Sequence, residues 1–253
     1  MRRKIVCIIP ARYGSERLPG KVLYKINGKS IIHRVYERAK LCKKYFSEIF
    51  IATDDKRIKE ECEKFGAKCI LTSPFCKSGS DRVAEVAKKI DCEIVVNLQA
   101  DEPFIPKEAI EKPIIELLKN KKEYIATSLT KIRKKEELYD TNVVKAVIDK
   151  NNYALYFSRS LIPYPRIYFS EDNLTKNRKV VFYKHIGIYV FRKAFLLKFA
   201  SLPFSFLENI EKLEQLRIIE NGYKIKTVIV KNDSPSVDSL EDIKRIMNGK
   251  KYE

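Results

Sequence analysis

An anion site is written near the start of the chain. The run Ile8-Ile9-Pro10-Ala11-Arg12-Tyr13-Gly14-Ser15-Glu16-Arg17-Leu18-Pro19-Gly20-Lys21 joins the end of an apolar stretch to three cations, Arg12, Arg17 and Lys21. Gly14 and Gly20 permit tight backbone geometry. Backbone N–H groups can then approach an anion closely while the cations neutralise it, as a triphosphate requires. Two familiar loops are excluded by spacing. A Walker A loop has four residues between its glycines and a hydroxyl residue after its lysine, whereas here five intervene and Val22 follows Lys21. The closely spaced glycines of the dinucleotide fingerprint are also missing. The same stretch is equally ordinary punctuation between a strand and a helix.

Further chemistry-bearing residues fall at the ends of expected elements. Glu93-Ile94-Val95-Val96-Asn97-Leu98 reads as a buried strand that delivers Gln99-Ala100-Asp101-Glu102-Pro103 at its carboxyl end. A carboxylate there, Asp101, can hold Mg²⁺ beside a nucleotide phosphate, or serve as a turn acid. Lys77-Ser78-Gly79-Ser80-Asp81-Arg82 reads as a turn and cap, with Ser80 opening a helix from Asp81 to Lys89. His185, Gly187 and Tyr189 share one face of an alternating strand. Leu207 to Asn221 reads as one helix stopped by Gly222. Its apolar stripe is Ile210, Leu213, Leu216 and Ile219, beside a polar stripe of Glu211, Glu214 and Gln215. Ser239 with Asp242 forms a capping box, which leaves Asp238 free of that duty.

The elements that position these residues alternate strand and helix. Ile5 to Ile9, Ile49 to Ala52 and Cys69 to Leu71 read as strands, with helices from Ser30 to Cys42, capped by Ser30, and from Lys56 to Phe65, capped by Asp55. Ile105 to Leu118 reads as a helix, and Tyr124 to Thr127, Thr141 to Ile148, Tyr153 to Arg159 and Ile225 to Val230 as strands. Such alternation implies a mainly parallel sheet with helices on both faces, whose ligands gather at the carboxyl ends of the strands.

Composition narrows the function classes. The 253 residues suit one large domain, and no apolar run reaches membrane-spanning length. A secretory signal would need a longer apolar core than follows Met1-Arg2-Arg3-Lys4, so the expectation is a cytoplasmic enzyme with no membrane partner. The net charge of +18 raises a basic nucleic-acid-binding protein as an alternative. The lysines are scattered among acids, however, which marks a solvated surface whose field gathers small anions, with no nucleic-acid partner. Six cysteines lack metal-site spacing, and with only His33 and His185 as histidines they read as free thiols.

Ile9-Pro10-Ala11-Arg12 with Ser15 and Arg17-Leu18-Pro19-Gly20-Lys21 resembles the opening signature of the cytidylyltransferases that activate acidic sugars, most closely the 3-deoxy-manno-octulosonate (Kdo) family. The similarity runs to about Asp242. It implies an α/β, nucleotide-diphospho-sugar transferase-like (Rossmann-like) fold: a mostly parallel twisted sheet flanked by helices. A single domain of residues 1–253 would carry a hairpin subdomain at 130–185 that meets a second subunit in a homodimer. By the same resemblance Ala11, Arg12, Ser15, Arg17 and Lys21 hold the phosphates of CTP, and Ser78, Ser80 and Arg82 recognise the cytosine. Gln99, Arg159, His185, Tyr189, Glu214 and Gln215 meet the sugar, with Arg159 on its carboxylate. Asp101 and Asp238 bind Mg²⁺, and Arg12 and Lys21 stabilise the leaving pyrophosphate. The implied reaction is CTP plus Kdo giving CMP-Kdo and pyrophosphate, for lipopolysaccharide synthesis, with 8-amino-Kdo or sialic acid as alternative acceptors. Three positions depart from the family pattern: Ser80 replaces threonine, and Ala100 and Ser236 replace glycines.

Overall fold

The computed structural model describes residues 4–14, 18–166, 180–233 and 235–248. Ser15 and Arg17 therefore lie outside the described residues, as does part of the hairpin subdomain expected at 130–185. The strands are β1 (Ile5–Pro10), β2 (Lys25–Ile26), β3 (Lys29–Ser30), β4 (Glu48–Thr53), β5 (Lys68–Leu71), β6 (Ile94–Leu98), β7 (Ile125–Lys131), β8 (Lys145–Ile148), β9 (Ala154–Ser158), β10 (Tyr183–Arg192) and β11 (Lys226–Val230). The helices are α1 (Ile31–Lys40), α2 (Lys56–Lys64), α3 (Gly79–Lys89), α4 (Lys107–Lys119), α5 (Lys135–Tyr139), α6 (Lys193–Ser201), α7 (Phe206–Glu211), α8 (Leu216–Glu220) and α9 (Leu240–Asn248).

One sheet runs in the order β11-β7-β10-β6-β1-β4-β5. β1 is buried along its whole length and pairs in parallel with both β4 and β6. Its residues alternate between two cores, as the two-residue period of a strand dictates. Cys7 and Ile9 face Ile32 and Val35 of α1, Ile58 of α2, Ile110 and Ile114 of α4 and Ile243 of α9. Val6 and Ile8 face Val83 and Val86 of α3, Phe195 and Phe199 of α6 and Leu216 of α8. The result is a sandwich of helices, sheet and helices, in keeping with the expected class.

The strand β10 is the antiparallel member, lying between β6 and β7. It also carries the hairpin β8–β9 off the main path through pairing with β8. Its ladder with β7 shifts register between Ile186 and Tyr189, around Gly187.

Four local expectations are corrected. Ser30 precedes α1, but its side chain makes no capping hydrogen bond. The helix expected from Leu207 to Asn221 is two helices, because Lys212 adopts a left-handed conformation (φ 54°) that ends α7. Ile210 is consequently 64% exposed, while Leu213 and Leu216 stay buried. Ser78, not Ser80, caps α3: its hydroxyl accepts from the Asp81 N–H and the Asp81 carboxylate accepts from the Ser78 N–H, a capping box. The strand expected from Thr141 begins at Lys145, because Asp140 Oδ1 accepts from the Asn142 N–H and folds the preceding residues into a turn. Asp55 caps α2 and Ser239 boxes with Asp242, both as the spacing predicts.

Candidate active site

β1 ends at Pro10, and its outgoing loop turns back at Gly20, whose φ of 67° lies in the left-handed region. The Gly20 N–H donates to the Tyr13 carbonyl at 2.8 Å. A Cβ on Gly20 would sit 2.8 Å from the Tyr13 ring, so only glycine permits that closure. The guanidinium of Arg57, on α2, lies 3.3 Å from the centre of the Tyr13 ring. The loop thus presents Arg12 and Lys21 to a cavity of about 210 Å³, which Ser78, Gly79, Arg82, Gln99 and Asp101 also line.

At the floor of that cavity Lys21 is shared by two carboxylates distant in sequence. Its Nζ donates to Asp101 Oδ2 and to Asp238 Oδ1, each at 3.0 Å. Asp101 arrives on the loop after β6; Asp238 arrives on the segment before α9, tied by the Val237 N–H to the Asp101 carbonyl at 2.9 Å. Burial opposes the Lys21 charge, but the two carboxylates outweigh it and raise its pKa above the usual lysine value. Their oxygens therefore stand no further apart than twice the lysine contact distance.

Gln99 and Asp101 also line a second, larger cavity of about 840 Å³. Arg159, His185, Gly187, Tyr189, Glu214 and Gln215 face the same space. The His185 ring lies 5.1 Å from that of Tyr189, so the two share a face despite the register shift. Thr127 donates its only hydroxyl proton to the Ile188 carbonyl, so its 2.8 Å contact with His185 Nε2 is donated by the ring. His185 is thereby a neutral Nε2–H tautomer, and burial pushes its pKa down to about 3. Glu214 goes the other way: burial raises its carboxyl pKa, against the opposing Ser80 hydrogen bonds. The Ser80 hydroxyl donates to Glu214 Oε1 at 2.8 Å and accepts from Asn97 Nδ2 at 3.0 Å. Gln99 Nε2 donates to Asn97 Oδ1 at 2.9 Å, so one buried chain of hydrogen bonds runs beneath both cavities.

The cytidylyltransferase family model matches residues 6–226. A 3-deoxy-manno-octulosonate cytidylyltransferase of Thermodesulfovibrio yellowstonii is 48% identical over 246 residues, 94% of either chain. The chain belongs to the 3-deoxy-manno-octulosonate cytidylyltransferase family. A second member, from Chloroherpeton thalassium, is 45% identical over 96% of either chain. A solved CMP:2-keto-3-deoxy-manno-octonic acid synthetase complexed with CTP superposes with a TM-score of 0.86 at 39% identity, covering 96% of this chain and 97% of that one.

Set against the family pattern, the structure brings together Arg12, Lys21, Ser78, Arg82, Gln99 and Asp101 around the smaller cavity, and Arg159, His185, Tyr189, Glu214, Gln215 and Asp238 around the larger, with Asp238 tied back to Lys21. Two expected nucleotide residues stand back. Ala11 is buried, with its N–H donated to the Ala52 carbonyl at 2.8 Å. Ser80 lines neither cavity and acts beneath them, through Glu214 and Asn97. Arg82 is buried with Nη2 on Asp54 Oδ2 at 2.9 Å and Nη1 on the Thr72 hydroxyl, so its guanidinium is held before any base arrives. Ala100 is not among the left-handed residues, so the backbone there accepts a side chain. Glu102 and Gly187 escaped the reading of residue types. The Gly187 N–H donates to Glu102 Oε1 at 2.9 Å and its carbonyl accepts from the Gln99 N–H at 3.0 Å. The invisible signal was the close approach: a Cβ on Gly187 would meet Glu102 Oε1 at 2.9 Å.

Proposed function

We propose that this enzyme transfers CMP from CTP to the anomeric 2-hydroxyl of Kdo, giving CMP-Kdo and pyrophosphate and activating the sugar for lipopolysaccharide synthesis. One observation carries the reading: Gln99 and Asp101 form a wall common to a cation-lined cavity and a larger polar cavity. A phosphate in the first and a hydroxyl in the second would meet at that wall, which is the arrangement that a displacement at phosphorus needs.

The sugar oxygen attacks the α-phosphorus; the new O–P bond forms as the bond to the β-phosphate oxygen breaks, and pyrophosphate leaves. Arg12 and Lys21 offset the charge that builds on that leaving group. Arg159 pairs with the sugar carboxylate through its guanidinium. His185 does not take the hydroxyl proton, because its pKa of about 3 removes its basicity; the proton passes to solvent or to Asp101. Asp101 and Asp238 fit a Mg²⁺ ion: their oxygens are hard donors, and both carboxylates already converge on one cation, Lys21 Nζ, at 3.0 Å each. Mg²⁺ characteristically takes one or two carboxylates and completes its shell with phosphates and water. Bound there, it supplies screening between two anionic reactants and polarises the α-phosphoryl oxygen.

Among the described residues no helix is long and apolar enough to cross a membrane. We place the enzyme in the cytoplasm as a homodimer. Leu155, Tyr164, Phe206 and Ile210 are 55%, 67%, 71% and 64% exposed, and a second copy would cover such side chains; light scattering checks the mass. The decisive experiment is pyrophosphate release with each nucleoside triphosphate and with Kdo, 8-amino-Kdo and sialic acid. CTP with Kdo should dominate. Release that needs no sugar, or a preference for another nucleotide, would refute the reading.

A further inference from the structure

A lysine that lines neither cavity holds one wall of the larger one. Lys145, at the start of β8, is wholly buried. Its Nζ donates to the carbonyls of Asp140 at 2.8 Å, Val143 at 2.7 Å and Arg159 at 2.5 Å. An ammonium has three N–H groups and no acceptor, so these three carbonyls satisfy it completely. A neutral amine would leave one of them without its donor, so the charge itself is part of the fit. Burial lowers the lysine pKa, the Asp140 charge raises it and the Arg159 charge lowers it.

The three carbonyls belong to two segments, one on either side of the β8–β9 hairpin. Asp140 and Val143 lie on the turn before β8, while Arg159 follows β9. Both segments line the larger cavity, through Asp140, Asn142, Val143 and Arg159. The guanidinium of Arg159 depends on the same turn: Nη1 donates to the Thr141 carbonyl at 2.8 Å, and Nε to the Glu211 carbonyl at 2.8 Å. Thr141 sits between the two turn residues that Lys145 grips. A shift of that turn would carry the Thr141 carbonyl with it and swing the guanidinium away.

We propose that Lys145 is a positioning residue for acidic-sugar binding: its ammonium clamps the 140–143 turn to the Arg159 carbonyl and so fixes the direction of the Arg159 guanidinium. The inference rests on the larger cavity being the sugar site. It differs from an ordinary buried charge in what it predicts, because its effect is confined to one substrate and passes through one side chain.

The test is steady-state kinetics of Lys145→Met and Lys145→Gln, alone and combined with Arg159→Gln, with the wild type first assayed on Kdo, 8-amino-Kdo and sialic acid. With the acid that the wild type uses, Lys145→Met should raise the KM for sugar about tenfold, the loss expected when a charge-assisted contact is misaligned. Its kcat and its KM for CTP should stay within about twofold, and Lys145→Gln, which retains two donors, should fall between. In the Arg159→Gln background, Lys145→Met should have no further effect on the KM for sugar, since residues acting through one another are not additive. An unchanged KM for sugar, an equal rise in the KM for CTP, or an undiminished effect without Arg159 would overturn the proposal. Failure of both variants to fold would overturn it too, because Lys145 would then serve the fold and not the sugar wall. A wild type that turns over none of the acids refutes the site assignment, an outcome separate from any variant.

Discussion

Replacing Lys21 by methionine removes the positive charge that Asp101 and Asp238 share while keeping most of the side chain's bulk. Both contacts are 3.0 Å, and the lysine side chain is 11% exposed against 35% for Asp101 and 15% for Asp238. Breaking a buried ion pair by removing one partner costs about 3–5 kcal/mol. Solvent reaches about a third of Asp101 and screens its share, so a loss of about 2 kcal/mol is the working value. For a chain of this size each kcal/mol moves the melting temperature by about 2–4 °C, which gives a drop of about 4–8 °C. The assay is thermal unfolding in chelator and in millimolar MgCl₂, with ionic strength matched by KCl. The two carboxylates left facing each other in Lys21→Met should capture the divalent ion in place of the lysine, and binding at about 100 times its Kd returns about 2.7 kcal/mol. Magnesium should therefore restore most of the lost melting temperature in the variant and move the wild type less. Turnover should fall by about 10²–10³, the usual loss of a charge that acts on the transition state. If the variant melts like the wild type in chelator, or if magnesium stabilises neither protein, the two acids do not share a cation site and the catalytic account fails with them.

Three further outcomes follow from the same geometry. Gly187→Ala pushes a Cβ to 2.9 Å from Glu102 Oε1 and 3.2 Å from the Gln99 Cβ; it should destabilise by about 1–3 kcal/mol and depress turnover, read by unfolding and by pyrophosphate release. Ser80→Ala strands the hydrogen bonds of Glu214 and Asn97 and should cost about 1–3 kcal/mol, whereas Ser80→Thr keeps the hydroxyl and should leave turnover near normal. His185 governs an acid limb of stability. Unfolded, it takes a proton near pH 6.5; folded, only near pH 3. The unfolded state then binds more protons, so this contribution is present above pH 6.5 and is lost as the pH falls toward 3. His185→Gln should flatten the fall in melting temperature between those values, and an unaltered profile would show that the ring is not buried neutral.

Much of this site could be read from residue order alone because its pieces are local. The Gly20 turn, the Asp55 cap, the Ser239–Asp242 box and the shared face of His185 and Tyr189 each depend on spacings of a few residues, where backbone periodicity and short side-chain reach decide the outcome. Motif resemblance extended this to Asp101 and Asp238. The helix expected from Leu207 to Asn221 failed for the converse reason. Helical spacing describes Ile210 and Leu213 equally well on one face, but Lys212 turns left-handed, Leu213 goes into the core, and Glu214 comes to rest against Ser80.

Tertiary structure alone decided the contacts that make the site one object. Lys21 meets Asp101 across 80 positions and Asp238 across 217, distances at which no periodic pattern carries information. Their meeting depends on β1 and β6 being neighbours in the sheet, which aligns the two outgoing loops at one edge. The antiparallel entry of β10 likewise sets Gly187 against Glu102, and the β8–β9 hairpin brings Lys145 to three carbonyls. Residue types specify which groups can pair; only the order of strands in the sheet specifies which of them arrive within reach, because an ion pair or hydrogen bond acts over a few ångströms and the chain between its ends is free to run anywhere.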